Sequence, residues 1–136
     1  MVVYSFTYLK AQNLVPNPSF EEYSSCPNTE CGISLATGWY SAGYTPDYYN
    51  SCASWPNGVP QNSVGYQYPS SGTAYIGIAA WGFVVREYIT AQLTNPLEIG
   101  KKYFVNFKVS RIDRFVYCAT NKIGVLFSTI SYKLGV

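Results

Sequence analysis

Polar and apolar positions alternate most strictly from Tyr103 to Ser110, where Tyr103, Val105, Phe107 and Val109 interleave with Phe104, Asn106, Lys108 and Ser110. A period of two sends successive side chains to opposite faces of a β-strand, so this stretch predicts a strand with one face on a core and the other in water. Ile123, Val125 and Phe127 repeat the alternation and predict a later strand. Upstream, the runs VGYQY (64–68), AYIGIAAW (74–81) and VVREYITAQL (84–93) are short and bounded by Ser70-Ser71-Gly72 and Asn95-Pro96, the spacing of sandwiches and barrels. The turn sequence LEIGKK (97–102) then places the runs 85–93 and 103–110 antiparallel or in facing sheets. No helical periodicity lasts three turns, and the chain contains no internal repeat.

The first half reads differently. Residues 1–12, MVVYSFTYLKAQ, form either the remnant of a secretory signal peptide or a first strand, leaving residues 13–136 as a single β-sandwich domain. Pro16 and Pro18 forbid a helix in NLVPNPSFEEY (13–23). Residues 24–63 are dense in Ser, Pro, Asn, Gly and Tyr, and only Gly38-Trp39-Tyr40 has the look of a strand carrying a core anchor. Long loops inside a compact domain are usually stapled or functional, so a disulfide and much of any binding surface are expected here.

Composition narrows the class. The 136 residues suffice for one domain with a real core. Hydrophobic residues are 48% and charged residues only 12%, so surface polarity must come from Ser, Thr, Asn, Gln and Tyr, which suits an extracellular surface. A net charge of +2 offers no concentrated basic face, which argues against nucleic acid as a partner. Fourteen Tyr, seven Phe and three Trp fit the pleated, half-buried surface of a sheet. No run approaches the length a membrane helix needs, so the domain is not expected to span a membrane.

Cysteines at 26, 31, 52 and 118 suggest disulfides and an oxidising compartment. Four cysteines allow three full pairings, and a Cys26–Cys52 bond is preferred, because both lie in irregular Asn/Ser/Pro-rich sequence that such a bond would clip. Reduced or metal-bound thiols are the alternative. With no histidine, Ser-His-Asp and Cys-His arrangements are excluded, and catalysis would fall to the seven carboxylates, of which Asp47 and Glu87 are the least implausible. The expectation is therefore a protein that is not an enzyme. Gly72, Gly77 and Gly82 lack the context of a phosphate loop and are expected to mark bulges or close backbone approach. Flat rings and amide side chains remain, the chemistry that reads sugars. The expected ligand contacts are Trp55, Trp81, Tyr48 and Tyr49, with Asp47 beside them.

Three segments together resemble a known family. Asn13 to Glu21 (NLVPNPSFE) is similar to the opening motif of the galactose-binding-like jelly rolls, Gly38-Trp39 to the Gly-Trp that follows it, and LEIGKKYFVNF (97–107) to a later family strand. With SSCP, TPDYYNSC and REYITAQLTNPL, the chain resembles a carbohydrate-binding-module-like unit at the N-terminus of surface and outer-membrane proteins of Bacteroidota-type bacteria. The resemblance implies an all-β antiparallel sandwich, a jelly roll, lacking its last strands. It implies a secreted or cell-envelope location, in the periplasm or on the extracellular face, within a multidomain parent. The partner it implies is a polysaccharide or cell-surface glycan; the alternative is a structural or adhesion module with no small ligand. In that family the glutamate matching Glu21 can ligate a structural calcium with a late aspartate, and this sequence has no equivalent of the second ligand.

Overall fold

The computed structural model describes residues 12–81, 85–114 and 120–132. Among them the elements are almost all strands, arranged as small antiparallel sheets. A 3₁₀ turn at Ile33–Leu35 precedes β1 (Trp39–Gly43), β2 (Asp47–Asn50), β3 (Gln61–Asn62), β4 (Gly65–Tyr66), β5 (Ala74–Gly77), β6 (Ala80–Trp81), β7 (Val85–Arg86) and β8 (Tyr88–Ala91). Each strand has one partner: β1 with β8, β2 with β5, β3 with β4 and β6 with β7, all antiparallel.

The NPSFE sequence makes a side-chain-built turn. Asn17, at φ 41, is in the left-handed region that Asn tolerates better than most residues. Its amide donates to the carbonyls of Glu22 (2.8 Å) and Thr37 (3.0 Å), and its Oδ1 accepts from Glu22 N–H. The Asn17 carbonyl accepts from the indole of Trp39, and Phe20 packs on that indole with ring centroids 5.0 Å apart. The 17–22 turn and β1 are thereby locked together.

The core sits between β2 and β5. Tyr48 pairs with Ile76 and Asn50 with Ala74, and Tyr48, Ala36 and Ala74 form the buried cluster, flanked by Phe20, Leu35, Trp39 and Ile76. Gly77 lies opposite Asp47, and a methyl group there would meet the Tyr49 ring at 2.8 Å. At Gly72, φ 69, the missing side chain leaves room for the Glu21 carboxylate. At Gly72 and Gly77 it is a side chain, not another backbone, that takes the space of a Cβ, and Gly82 lies outside the described residues. So do residues 1–11 and Cys118.

Two strand expectations are corrected. Residues 103–110 form no strand, and β8, within the run expected beside them, pairs instead with β1. The stretch around Ile123, Val125 and Phe127 is also unpaired among the described residues. Alternation specifies which faces a strand would have, but a ladder needs a second backbone within hydrogen-bonding distance, and none stands there among the described residues. The run AYIGIAAW divides into β5 and β6, because Gly77 ends the ladder with β2.

Candidate functional site

A disulfide joins Cys26 to Cys52, as the loop composition led us to expect, and clips two irregular segments. Beyond Cys52 the loop is closed by its own backbone. Ala53 N–H bonds the Asn50 carbonyl, Asn57 N–H that of Ser54, and Ser63 and Gln67 donate to Pro56 and Pro60. Two buried asparagines replace a hydrophobic centre: Asn57 donates to the Tyr48 carbonyl, and Asn62 to the carbonyl of Gly58 and the Tyr75 hydroxyl. Asn57 Oδ1 is buried and has no partner among the described residues.

On this braced loop Trp55 stands 62% exposed. Such exposure of the largest apolar side chain is informative, since indoles are ordinarily well covered. Downstream in the same bonded cluster, Tyr66 and Tyr68 are exposed and meet edge to face, with centroids 5.5 Å apart and the Tyr66 hydroxyl donating to Tyr68. That bond is the main cause of a rise in the Tyr66 pKa above its ordinary value.

The other expected ligand residues are placed differently. Tyr48 and Tyr49 are 0% and 1% exposed, so their rings offer no face for stacking. The pattern DYYN put two adjacent tyrosines in β2, and both are enclosed because β2 is covered on its two faces. The Asp47 carboxylate accepts from Cys31 N–H at 2.7 Å and from the Tyr49 hydroxyl at 3.2 Å, and so ties the Cys31 loop to β2. Trp81 ends β6, and its side chain lies outside what the structure describes. Of the three expected rings whose side chains are described, Trp55 alone is displayed.

A second feature was not legible in the sequence. Tyr40 and Ser41 of β1, Thr90 of β8, and Ser131 and Tyr132 line an open cleft of about 370 Å³. Tyr40 opposes Thr90 in the ladder, and both tyrosine rings are exposed. Two rings, five hydroxyls and no charge make a surface able to meet a neutral polyhydroxylated molecule. Residues 131–132 are ninety positions from β1, and no local pattern joins them.

The carboxylates act as clamps. Glu21 accepts from Thr73 N–H, Thr73 Oγ1 and Ala74 N–H at 2.7–3.1 Å. Glu87 takes the same kinds of donor from Thr45 N–H, Thr45 Oγ1 and Ala79 N–H. Asp113 accepts from Tyr66 N–H, and Glu98 pairs with Lys101 at 2.7 Å, which raises the Lys101 pKa. The calcium role implied for Glu21 does not fit this donor set: three chain donors occupy its oxygens, and among the described residues no group of three Cys, Asp or Glu is placed to hold a metal ion.

Burial is the main cause that lifts the phenol pKa of Tyr48, Tyr49 and Tyr75 above 10.0, and for Tyr49 the Asp47 carboxylate adds to it. A raised folded-state pKa means the fold favours the neutral phenol. Its contribution is complete below the ordinary pKa and is lost as pH climbs through the raised one. Ultraviolet titration should therefore show a set of tyrosines that ionises only above pH 10, as the fold opens; its absence would contradict the burial of these rings. Set against family models, curated proteins and solved structures, the chain matches none of them.

Proposed function

We propose that this chain is a non-catalytic glycan-binding module, working outside the cell or in its envelope as part of a larger protein, and that its sheets belong to a jelly-roll sandwich. The observation that carries the reading is the Trp55 ring, held out to solvent by a loop that a disulfide and five backbone hydrogen bonds brace from Asn50 to Gln67. A rigid exposed ring can stack on the apolar face of a sugar without losing much side-chain entropy on binding. The Tyr40–Tyr132 cleft supports the same reading, because its hydroxyls can exchange hydrogen bonds with sugar hydroxyls. Four carboxylates committed to backbone amides support the non-catalytic part, since proton transfer needs a carboxyl facing substrate. The disulfide supports an oxidising compartment. No helix among the described residues is long and apolar enough to cross a membrane.

Affinity electrophoresis against a panel of polysaccharides tests the reading. Wild-type protein should be retarded by at least one of them, and Trp55→Ala should weaken that retardation about tenfold or more while leaving the melting temperature within a degree or two, because the exposed ring contributes little to the core. No retardation by any polysaccharide, or an unchanged Trp55→Ala, would sink it. The second reading, a structural or adhesion module, is favoured by one observation: apolar side chains from Tyr103 to Val109 and from Ile123 to Phe127 stand exposed, as a protein-facing surface would.

A further inference from the structure

The most unusual surface of the molecule is the backbone between Phe104 and Val109. Among the described residues, none of its N–H or C=O groups makes a hydrogen bond. The segment is nevertheless fixed at both ends. The Tyr103 hydroxyl accepts from Glu98 N–H at 2.9 Å, and Ser110 Oγ donates to Gln67 Oε1 at 2.6 Å. Just beyond, Arg114 N–H bonds the Val64 carbonyl and Asp113 accepts from Tyr66 N–H. Ends held in this way reduce the ordering cost of adding a strand to the segment. Phe104 is 99% exposed, and Val105, Phe107 and Val109 are half-exposed or more.

We infer that residues 103–110 are a pairing edge for a second copy of this chain, joined antiparallel about a two-fold axis through Asn106. The sequence is self-complementary in that register. Tyr103 would lie opposite Val109 and Val105 opposite Phe107 on one face; on the other, Phe104 would lie opposite Lys108 and Asn106 opposite Asn106. Every cross-strand pair is aromatic with aliphatic, aromatic with the stem of a lysine, or amide with amide, combinations that stabilise a ladder. The one like-charge pair, Lys101 with Arg111, falls at the outer end. A parallel in-register pairing would instead set Lys101, Lys102 and Lys108 against their own copies, and like charges directly opposite oppose pairing. A slip of one residue would put the apolar face of one strand beside the polar face of the other. Natural edges usually carry charges or proline that forbid such addition; within 103–110 there is no proline and one charge, Lys108, which this register sets against Phe104.

Sedimentation equilibrium over a hundredfold concentration range, on the full chain with Cys31→Ser and Cys118→Ser, reads the association directly. The expected result is a weight-average mass rising toward twice that of the chain. A double variant, Val105→Pro with Asn106→Pro, removes an N–H from each of the two alternating sets and should stay monomeric with an unchanged circular-dichroism spectrum, since these groups make no bond within the described chain. Asn106→Cys, the position facing its own copy, should form an intermolecular disulfide at least tenfold faster than Phe104→Cys or Lys108→Cys. A mass that stays at one chain throughout overturns the inference, as does a dimer that survives the double proline variant or cross-links no faster at 106. Hydrogen exchange decides the remaining case: slow exchange at 104–109 in the monomer would mean that a segment of the same chain occupies the edge, which also overturns it.

Discussion

Replacing Tyr48 by Phe should lower the stability of this domain by about 1–3 kcal/mol, although the substitution removes a single oxygen atom. That oxygen has two partners. It donates to the Phe20 carbonyl at 2.8 Å and accepts from the Asn50 amide at 2.7 Å, and Asn50 is itself buried. The hydroxyl therefore joins the NPSFE turn to the end of β2. Without it, the part-buried Phe20 carbonyl and the buried Asn50 amide lose their partner, and an unsatisfied buried group costs more than the net value of the bond it lost. Tyr48→Ala removes the same bonds and also the ring that fills the space between Ala36 and Ala74, which raises the expected loss to about 3–5 kcal/mol. Thermal melts followed by circular dichroism should show both variants, with Tyr48→Phe falling by roughly 4 °C for each kcal/mol. A Tyr48→Phe melt that coincides with the wild type would mean that Phe20 and Asn50 find water, and that the centre of the domain is wetter than its burial indicates.

The same tyrosine shows how far the sequence could be read. Composition and short runs were enough for an all-β chain, because aromatic and β-branched residues between turn signals leave few alternatives. Gly38-Trp39 was legible as an anchor because a strand-like Gly-Trp-Tyr stands out in polar loop sequence, although the Asn17 carbonyl that holds the indole, 22 residues away, was not. The aromatics of DYYN were not separable by local pattern. Both Tyr48 and Tyr49 point into covered space, one against Ala36 and Ala74 and the other against Gly77 and Tyr75, and these neighbours come from segments twelve or more residues away. Trp55 has similar loop-rich flanks and is displayed, so loop composition marks the region of a site without saying which ring faces out. The cleft at Tyr40 and Tyr132 illustrates the same limit, since its walls meet only through tertiary placement. In the opposite direction, the strictest alternation in the chain, at 103–110, forms no strand. Side-chain pattern encodes a strand's faces and the register it favours, but does not by itself bring a partner backbone alongside.

Opening the Cys26–Cys52 bond, by Cys26→Ser with Cys52→Ser or by reductant, should cost about 3.5 kcal/mol, the loss in chain-entropy terms expected when a closed loop of this length is released in the unfolded chain. The sequence separation is 26 residues, and the clipped stretch includes the 3₁₀ turn, β1 and β2. This bond has more to hold than its length suggests, because few apolar side chains are fully buried: of the described hydrophobics, the covered ones are Ile33, Ala36, Ala42, Tyr48, Tyr49 and Ala74, and three of these are alanines. Small cores depend on staples. Locally, Asn50 Oδ1 accepts from Cys52 N–H and Asn50 N–H bonds the Asn57 carbonyl, so the bond fixes the turn from which the Trp55 loop departs. Two readouts should thus move together in the reduced protein: the urea midpoint falls, and affinity for any retained polysaccharide falls before global unfolding, as the Trp55 loop loses its fixed base. Urea titration of oxidised and reduced protein, with affinity electrophoresis in the absence of denaturant, separates the two effects. Equal midpoints would show that the β2–β5 pair and the asparagine-filled loop hold their shape unaided. A lower midpoint with unchanged binding would confine the role of the disulfide to the core and place the ligand on the Tyr40–Tyr132 cleft instead of the Trp55 loop.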